Sequence, residues 1–154
     1  ARGLRQLQPY HANLRKRQVK SPKVFVRDSG LLHHLLGIES LKGLLTHPKV
    51  GASWEGLVIE EVLKSEPHDD AFFWATHQGA EIDLVIRRKG RLLGLECKRT
   101  DTPKLTRSIR IAREDLGLER VAVVHPGIKR YPITDDVEAV PLSALAEGDP
   151  LFSA

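Results

Sequence analysis

The stretch GAEIDLVIRRKGRLLGLECKRT, residues 79–100, decides how the rest of the chain is read. Two runs rich in leucine and isoleucine, Glu81–Arg88 and Arg91–Arg99, flank Lys89-Gly90. A two-residue loop ending in Gly supplies the positive φ of a tight hairpin, so the stretch predicts two antiparallel strands. Side chains alternate between faces along a strand. Alternation puts Ile82, Leu84 and Ile86 on one face of the first strand and Glu81, Asp83 and Val85 on the other. In the second strand Leu93, Leu95 and Cys97 oppose Glu96, Lys98 and Thr100. Asp83, Glu96 and Lys98 are therefore expected to project from one side of neighbouring strands. Two carboxylates and an ammonium on a half-buried sheet face are costly unless they pair or bind a cation.

Working outward, 154 residues suit one domain with at most a small appendage. The apolar and charged shares, 41% and 29%, are those of a globular chain with an ordinary core. No run approaches the ~18 apolar residues of a membrane span, and the first twenty residues lack the apolar core of a secretory signal. One cysteine excludes an internal disulfide framework and points to a reducing, cytoplasmic setting. Methionine is absent even at position 1, which predicts a fragment of a longer protein. Charge is uneven. Residues 1–49 hold ten Lys/Arg against two Asp/Glu, and the remainder fourteen against eighteen, giving +8 and −4. A basic front is either a nucleic-acid footprint or a polar surface that covers a neighbouring segment.

Upstream, Gly3–Tyr10 reads as a strand, His11–Lys20 as a basic loop and KVFVR, 23–27, as a short strand. Asp28, Ser29 and Ser40 are N-cap candidates for two short helices around LLHHLLG and LKGLLTH. From Val50 to Lys64 apolar residues recur at helical spacing, and Val58, Ile59 and Val62 share a stripe with Glu55. A third acid is thus directed inward, or sits at a boundary beside a basic partner. Downstream, AFFWATH (71–77) and ERVAVVH (119–125) read as buried strands, and Val137–Val140 as a last short strand before a helical turn at 142–146. Pro103–Leu116 reads as a helix with Leu105, Ile109, Ala112 and Leu116 inward and Lys104, Arg107, Arg110 and Arg113 outward. Those arginines are either a solvated face or phosphate contacts. His68-Asp69-Asp70 and His33-His34 are adjacent residues that diverge, and neither predicts a site.

An inward Glu on a helix, an Asp on a strand, and Glu-x-Lys on the next strand resemble the PD-(D/E)XK nuclease superfamily. The residues are Glu55, Asp83 and Glu96-Cys97-Lys98. The blocks KSPKVFVRDSGLLHHLLGI, LLTHPKVGASWEGLVIEEVLK, GAEIDLVI and LECKRT further resemble the C-terminal region of prokaryotic AAA+-type ATPases, which carries an uncharacterised nuclease-like domain. The resemblance covers nearly the whole chain. It implies an α/β fold with a restriction-endonuclease-like αβββαβ core, a mixed central sheet at 49–154, and a basic linker or remnant at 1–48 joining an ATPase domain. It also implies that Asp83, Glu96 and the Cys97 carbonyl ligate Mg²⁺ or Mn²⁺, with Glu55 completing the shell and Lys98 polarising a water. Glu81 and Thr100 would be auxiliaries. Hard carboxylate oxygens suit those ions.

Two classes of function follow. One is a metal-dependent phosphodiester hydrolase acting on DNA. The other is a nuclease fold that no longer cuts and serves as a DNA- or protein-docking module, or as an architectural part of the ATPase, with self-association left open. The Cys97 thiol is expected in the core, not as a nucleophile. No G-x-x-x-x-G-K-[ST] occurs, so this chain is not expected to bind ATP.

Overall fold

The hairpin forms with the expected turn: Lys89 and Gly90 both adopt positive φ, 51° and 77°, as a two-residue turn between twisted strands requires. Asp69 Oδ2 accepts the Lys89 N–H at 2.9 Å and pins the bend from outside. The structure, a computed structural model, describes residues 3–26 and 51–152. The two short helices expected around 31–47, with their caps and His33-His34, lie outside the described residues.

In chain order the elements are β1 (Leu4–Pro9), β2 (Lys23–Val26), α1 (Gly51–Ser65), β3 (Asp70–Ala75), β4 (Glu81–Arg88), β5 (Arg91–Cys97), α2 (Arg107–Leu116), β6 (Arg120–His125), β7 (Tyr131–Thr134), β8 (Val137–Pro141) and α3 (Leu142–Ala146). The eight strands among the described residues join one mixed sheet in the order β2-β1-β3-β4-β5-β6-β8-β7. β3, β4 and β5 are antiparallel neighbours, whereas β5, β6 and β8 run parallel. The chain is therefore a mixed α/β fold with helices on both faces. Among the described residues no helix is long and apolar enough to cross a membrane.

The all-apolar run of β6 follows from its place: Ala122 and Val124 face one core and Val121 and Val123 the other. On the first face α1 buries Val58, Ile59 and Val62 against Phe73, Leu84, Leu95 and Val124, and α3 adds Leu142 and Leu145. On the second face α2 buries Ile109, Ala112 and Leu116 against Trp74, Val85 and Val123. α2 starts later than Pro103, because Thr106 is its N-cap, accepting the Ile109 N–H, and Gly117 closes it in the left-handed conformation. Leu105 still packs against that core from the preceding turn.

Two expectations are corrected. Residues 4–26 are not a linker, since β1 pairs with β3 and brings β2 into the sheet. Arg5 on β1 forms a two-bonded ion pair with buried Glu60 on α1, which ties this front segment to the helix. Strict alternation also fails in β4. Phe72 pairs with Val85 but Trp74 with Ile82, so Phe73 faces two residues, Asp83 and Leu84, across a β-bulge. The bulge sends Ile82 to the α2 face beside Val85, while Leu84 and Ile86 stay under α1.

Candidate functional site

The bulge lies where β4 and β5 part. Their pairing runs from Arg88↔Arg91 to Leu84↔Leu95 and stops one step short of Asp83 and Glu96. In place of the next main-chain partner, Asp83 Oδ2 accepts the Cys97 N–H at 2.7 Å. The Asp83 carboxylate therefore occupies the gap between the strands, close to the plane of the sheet. Alternation directs Leu93, Leu95 and Cys97 towards α1, and Gly94 towards Leu118 and Val121 on the α2 side. Glu96 shares the Gly94 phase. Asp83 and Glu96 thus do not leave one flat face, as the hairpin alone suggested. They meet because Asp83 fills the fork from which Glu96 emerges, within hydrogen-bonding reach of each other.

Glu55 completes the group from α1. Its carboxylate also comes within hydrogen-bonding reach of Asp83. Lys23 on β2 bonds Glu55 Oε1 at 3.2 Å, with its ammonium 5.0 Å from the centre of the Phe73 ring. Gly56 makes this approach feasible, since a Cβ there would stand 3.1 Å from Phe25 Cδ1 on the same strand. Trp54, Glu55, Glu81, Asp83, Glu96 and Lys98 line an open cleft of about 360 Å³. Among the described residues the buried Trp54 indole N–H has no hydrogen-bond partner.

Proton affinities record the crowding. Burial, then Asp83, pushes Glu96 up to about 10 against the pull of Lys98. Burial and Asp83 raise Glu55 to about 7, although Lys23 draws it down. Burial lowers Lys23, but Glu55, Asp83 and Glu81 together more than offset this and leave it raised. Burial raises the Cys97 thiol well above its ordinary value, with Asp83, Glu55 and Glu96 adding to it. A thiol so placed is neutral and core-like. Four acids line the cleft with Lys98 and Arg99, and Lys23 reaches it through Glu55, so full ionisation leaves an excess of one negative charge.

The donor set is chemically suited to a hard divalent cation: carboxylate oxygens only, in a half-open cleft. Among the described residues no group of three or more His, Cys, Asp or Glu side chains is placed so that it could hold a metal ion as it stands, so an ion here would require the carboxylates to rearrange around it. Cys97 contributes its N–H to Asp83. Thr100 lies beyond β5, where its hydroxyl accepts from Thr102 N, and does not line the cleft. Arg113 on α2 is ion-paired with Asp136 and is not an open phosphate contact, whereas Arg107 and Arg110 are exposed. Asp70 pairs with Arg87, and Asp69 caps the hairpin turn, so residues 68–70 serve the fold. Sequence reasoning missed Lys23. Its only signal is a lysine opening an apolar strand, which does not reveal that β2 lies beside α1.

With this geometry in view, comparison with known proteins places the chain. The family described as a Domain of unknown function (DUF4143) matches residues 50–145, and the chain belongs to that family, whose members are ATPase-associated. A second domain of unknown function (DUF8612) matches residues 1–42. Uncharacterised proteins of Mycobacterium bovis and Mycobacterium tuberculosis are each 49% identical over 138 residues, covering 90% of this chain and 31% of the relative. The chain thus spans about a third of the length of these relatives. No solved structure matches it.

Proposed function

We propose that this domain is a divalent-metal-dependent phosphodiester hydrolase acting on DNA, with a restriction-endonuclease-like core. The carrying observation is the convergence of Asp83, Glu96 and Glu55 at the fork of β4 and β5, with Lys98 on the same rim. The order α1-β3-β4-β5-α2-β6 supports the core assignment, since it repeats αβββαβ. Asp83 and Glu96 would hold Mg²⁺ or Mn²⁺, with Glu55 as a further ligand or an outer-shell acceptor. The bound ion would supply Lewis acidity, lowering the pKa of a water and offsetting charge on the phosphoryl oxygens. The Lys98 ammonium would orient that water and balance the incoming phosphate. Lys23 holds Glu55 in place and limits its swing. Burial and Asp83 raise the Glu96 carboxyl to about 10, so a cation would be held there in exchange for a proton.

One observation favours the alternative, a docking or architectural module of an ATPase. Asp83 already accepts a main-chain N–H and Glu55 already has a lysine, so part of the acid group is satisfied without an ion. A plasmid-nicking assay with Mn²⁺ separates the two readings. The hydrolase reading expects nicking by the parent and none by Lys98→Ala or Asp83→Ala. Equal behaviour of parent and variants refutes it.

A further inference from the structure

Between β1 and β2 the chain carries Arg15, Lys16, Arg17 and Lys20 and no acid from His11 to Pro22. Such a loop, self-repelling and exposed, has little intrinsic reason to hold one shape. Here it is fastened by a buried amide. Gln18 is 4% exposed. Its Oε1 accepts from Ala12 N and Trp74 Nε1, both at 2.9 Å, and its Nε2 donates to Ala12 O at 2.8 Å. Main-chain bonds extend the clamp: Val19 N to Ala75 O and His77 N to Arg17 O, each 2.9 Å. A buried amide held by three hydrogen bonds fixes geometry, and the geometry it fixes is a display of cations. Lys16 bonds Asp115 at 2.6 Å. Among the described residues Arg15, Arg17 and Lys20 have no ion-pair partner. Arg17, Lys20, His11 and His77 border an open cleft of about 470 Å³.

The position matters as much as the charge. β1 and β3 are parallel, and the loop leaves the carboxyl end of β1 and docks on the turn after β3. That turn, Thr76–Ala80, leads directly into Glu81, which lines the acid cleft, while the other end of the loop leads into Lys23. The basic loop and the acid cleft are thus adjacent features of one end of the sheet.

We infer that the Gln18-clamped loop binds the phosphate backbone of duplex DNA beside the acid cleft. Duplex is favoured over single strand because strand binders stack bases on exposed aromatic rings. Residues 11–22 contain no Phe, Tyr or Trp, and neighbouring Tyr10 packs on Phe72 with ring centres 5.5 Å apart. Contacts of this kind position the partner without reading sequence. The inference deepens the hydrolase reading but requires no metal.

Fluorescence anisotropy with a labelled duplex of mixed sequence, in EDTA, tests it. Each phosphate contact adds about −0.9 to the slope of log K against log salt. Arg17→Ala with Lys20→Ala should therefore weaken binding at least ~10-fold at low salt and flatten the slope by about 2. The double variant should melt as the parent does and keep any Mn²⁺-dependent rise in melting temperature. The inference is overturned if the double variant binds like the parent, if the parent does not bind at low salt, or if an equally long single strand binds more tightly. Loss of the Mn²⁺ response with Arg17- and Lys20-dependent binding intact would sink the hydrolase reading alone.

Discussion

Replacing Glu96 by glutamine preserves the shape of a side chain only 4% exposed and removes its charge. In the metal-free protein this carboxyl titrates near 10, against an ordinary 4.5, because of burial and Asp83. Between those values the folded state keeps a proton that the unfolded chain has lost. Stability associated with Glu96 is therefore present below pH 4.5 and drains away as pH rises towards 10. At pH 8 the deficit spans ~3.5 pH units, which at about 1.4 kcal/mol each sets a ceiling of about 5 kcal/mol. Recovering even ~2 kcal/mol would raise the melting temperature by ~4–8 °C for a chain of this size. Glu96→Gln should thus melt above the parent at pH 8 in EDTA, with the gap closing towards pH 4.5. With Mn²⁺ the order should reverse: an ion at a hundred times its Kd adds about 2.7 kcal/mol to the parent and little to a variant missing a ligand. Thermal melts followed by circular dichroism between pH 4.5 and 9, with and without metal, read both effects. A variant that melts below the parent at pH 8 without metal would show that Glu96 is a stabilising anion paired with Lys98, and the crowding argument would fail.

Other expectations test the supports of the site. Lys23→Met removes the cation that draws Glu55 down, so Glu55 should titrate above its present value of about 7; carboxyl titration by NMR reads the direction, and an unchanged Glu55 would refute the pairing. Arg5→Ala removes a two-bonded partner of buried Glu60 and should cost about 1.5–3 kcal/mol, the usual range for hydrogen bonds to a charged group; a denaturant midpoint within error of the parent counts against it. Gly56→Ala improves helix propensity by ~1 kcal/mol but presses Phe25, and is expected to destabilise the chain and loosen β2, read as faster amide exchange at Lys23–Val26.

The hairpin, the apolar β6 and the buried stripes of α1 and α2 were legible because each is a local pattern. A period, a Gly in a turn and a run of valines need no distant contact to be read. β7 was not, since Tyr-Pro-Ile-Thr alternates weakly and is a strand only because β8 pairs with it. Glu55, Asp83, Glu96 and Lys98 were also legible as one group. Their faces were not, because a bulge opposite Phe73 adds a residue that alternation cannot count. The partners of the acids were the least visible: Lys23 lies 32 residues from Glu55 along the chain and meets it only because β1 carries β2 to the sheet. Arg113 illustrates the opposite error, an outward-facing residue on the helix whose guanidinium is held by Asp136.

The bulge in β4 sets which parts of the cleft can yield. Asp83 is bonded through one peptide to Leu84, which is 1% exposed beneath α1, so shifting that carboxylate means dragging a core leucine with it. Glu55 and Lys23 face it with their side chains 22% and 34% accessible, and their tips are held by each other through one ion pair and not by a core residue next along the chain. The cleft is therefore a hard anvil of sheet faced by a compliant helix side, and accommodation of a guest of altered radius or charge falls on Glu55 and Lys23.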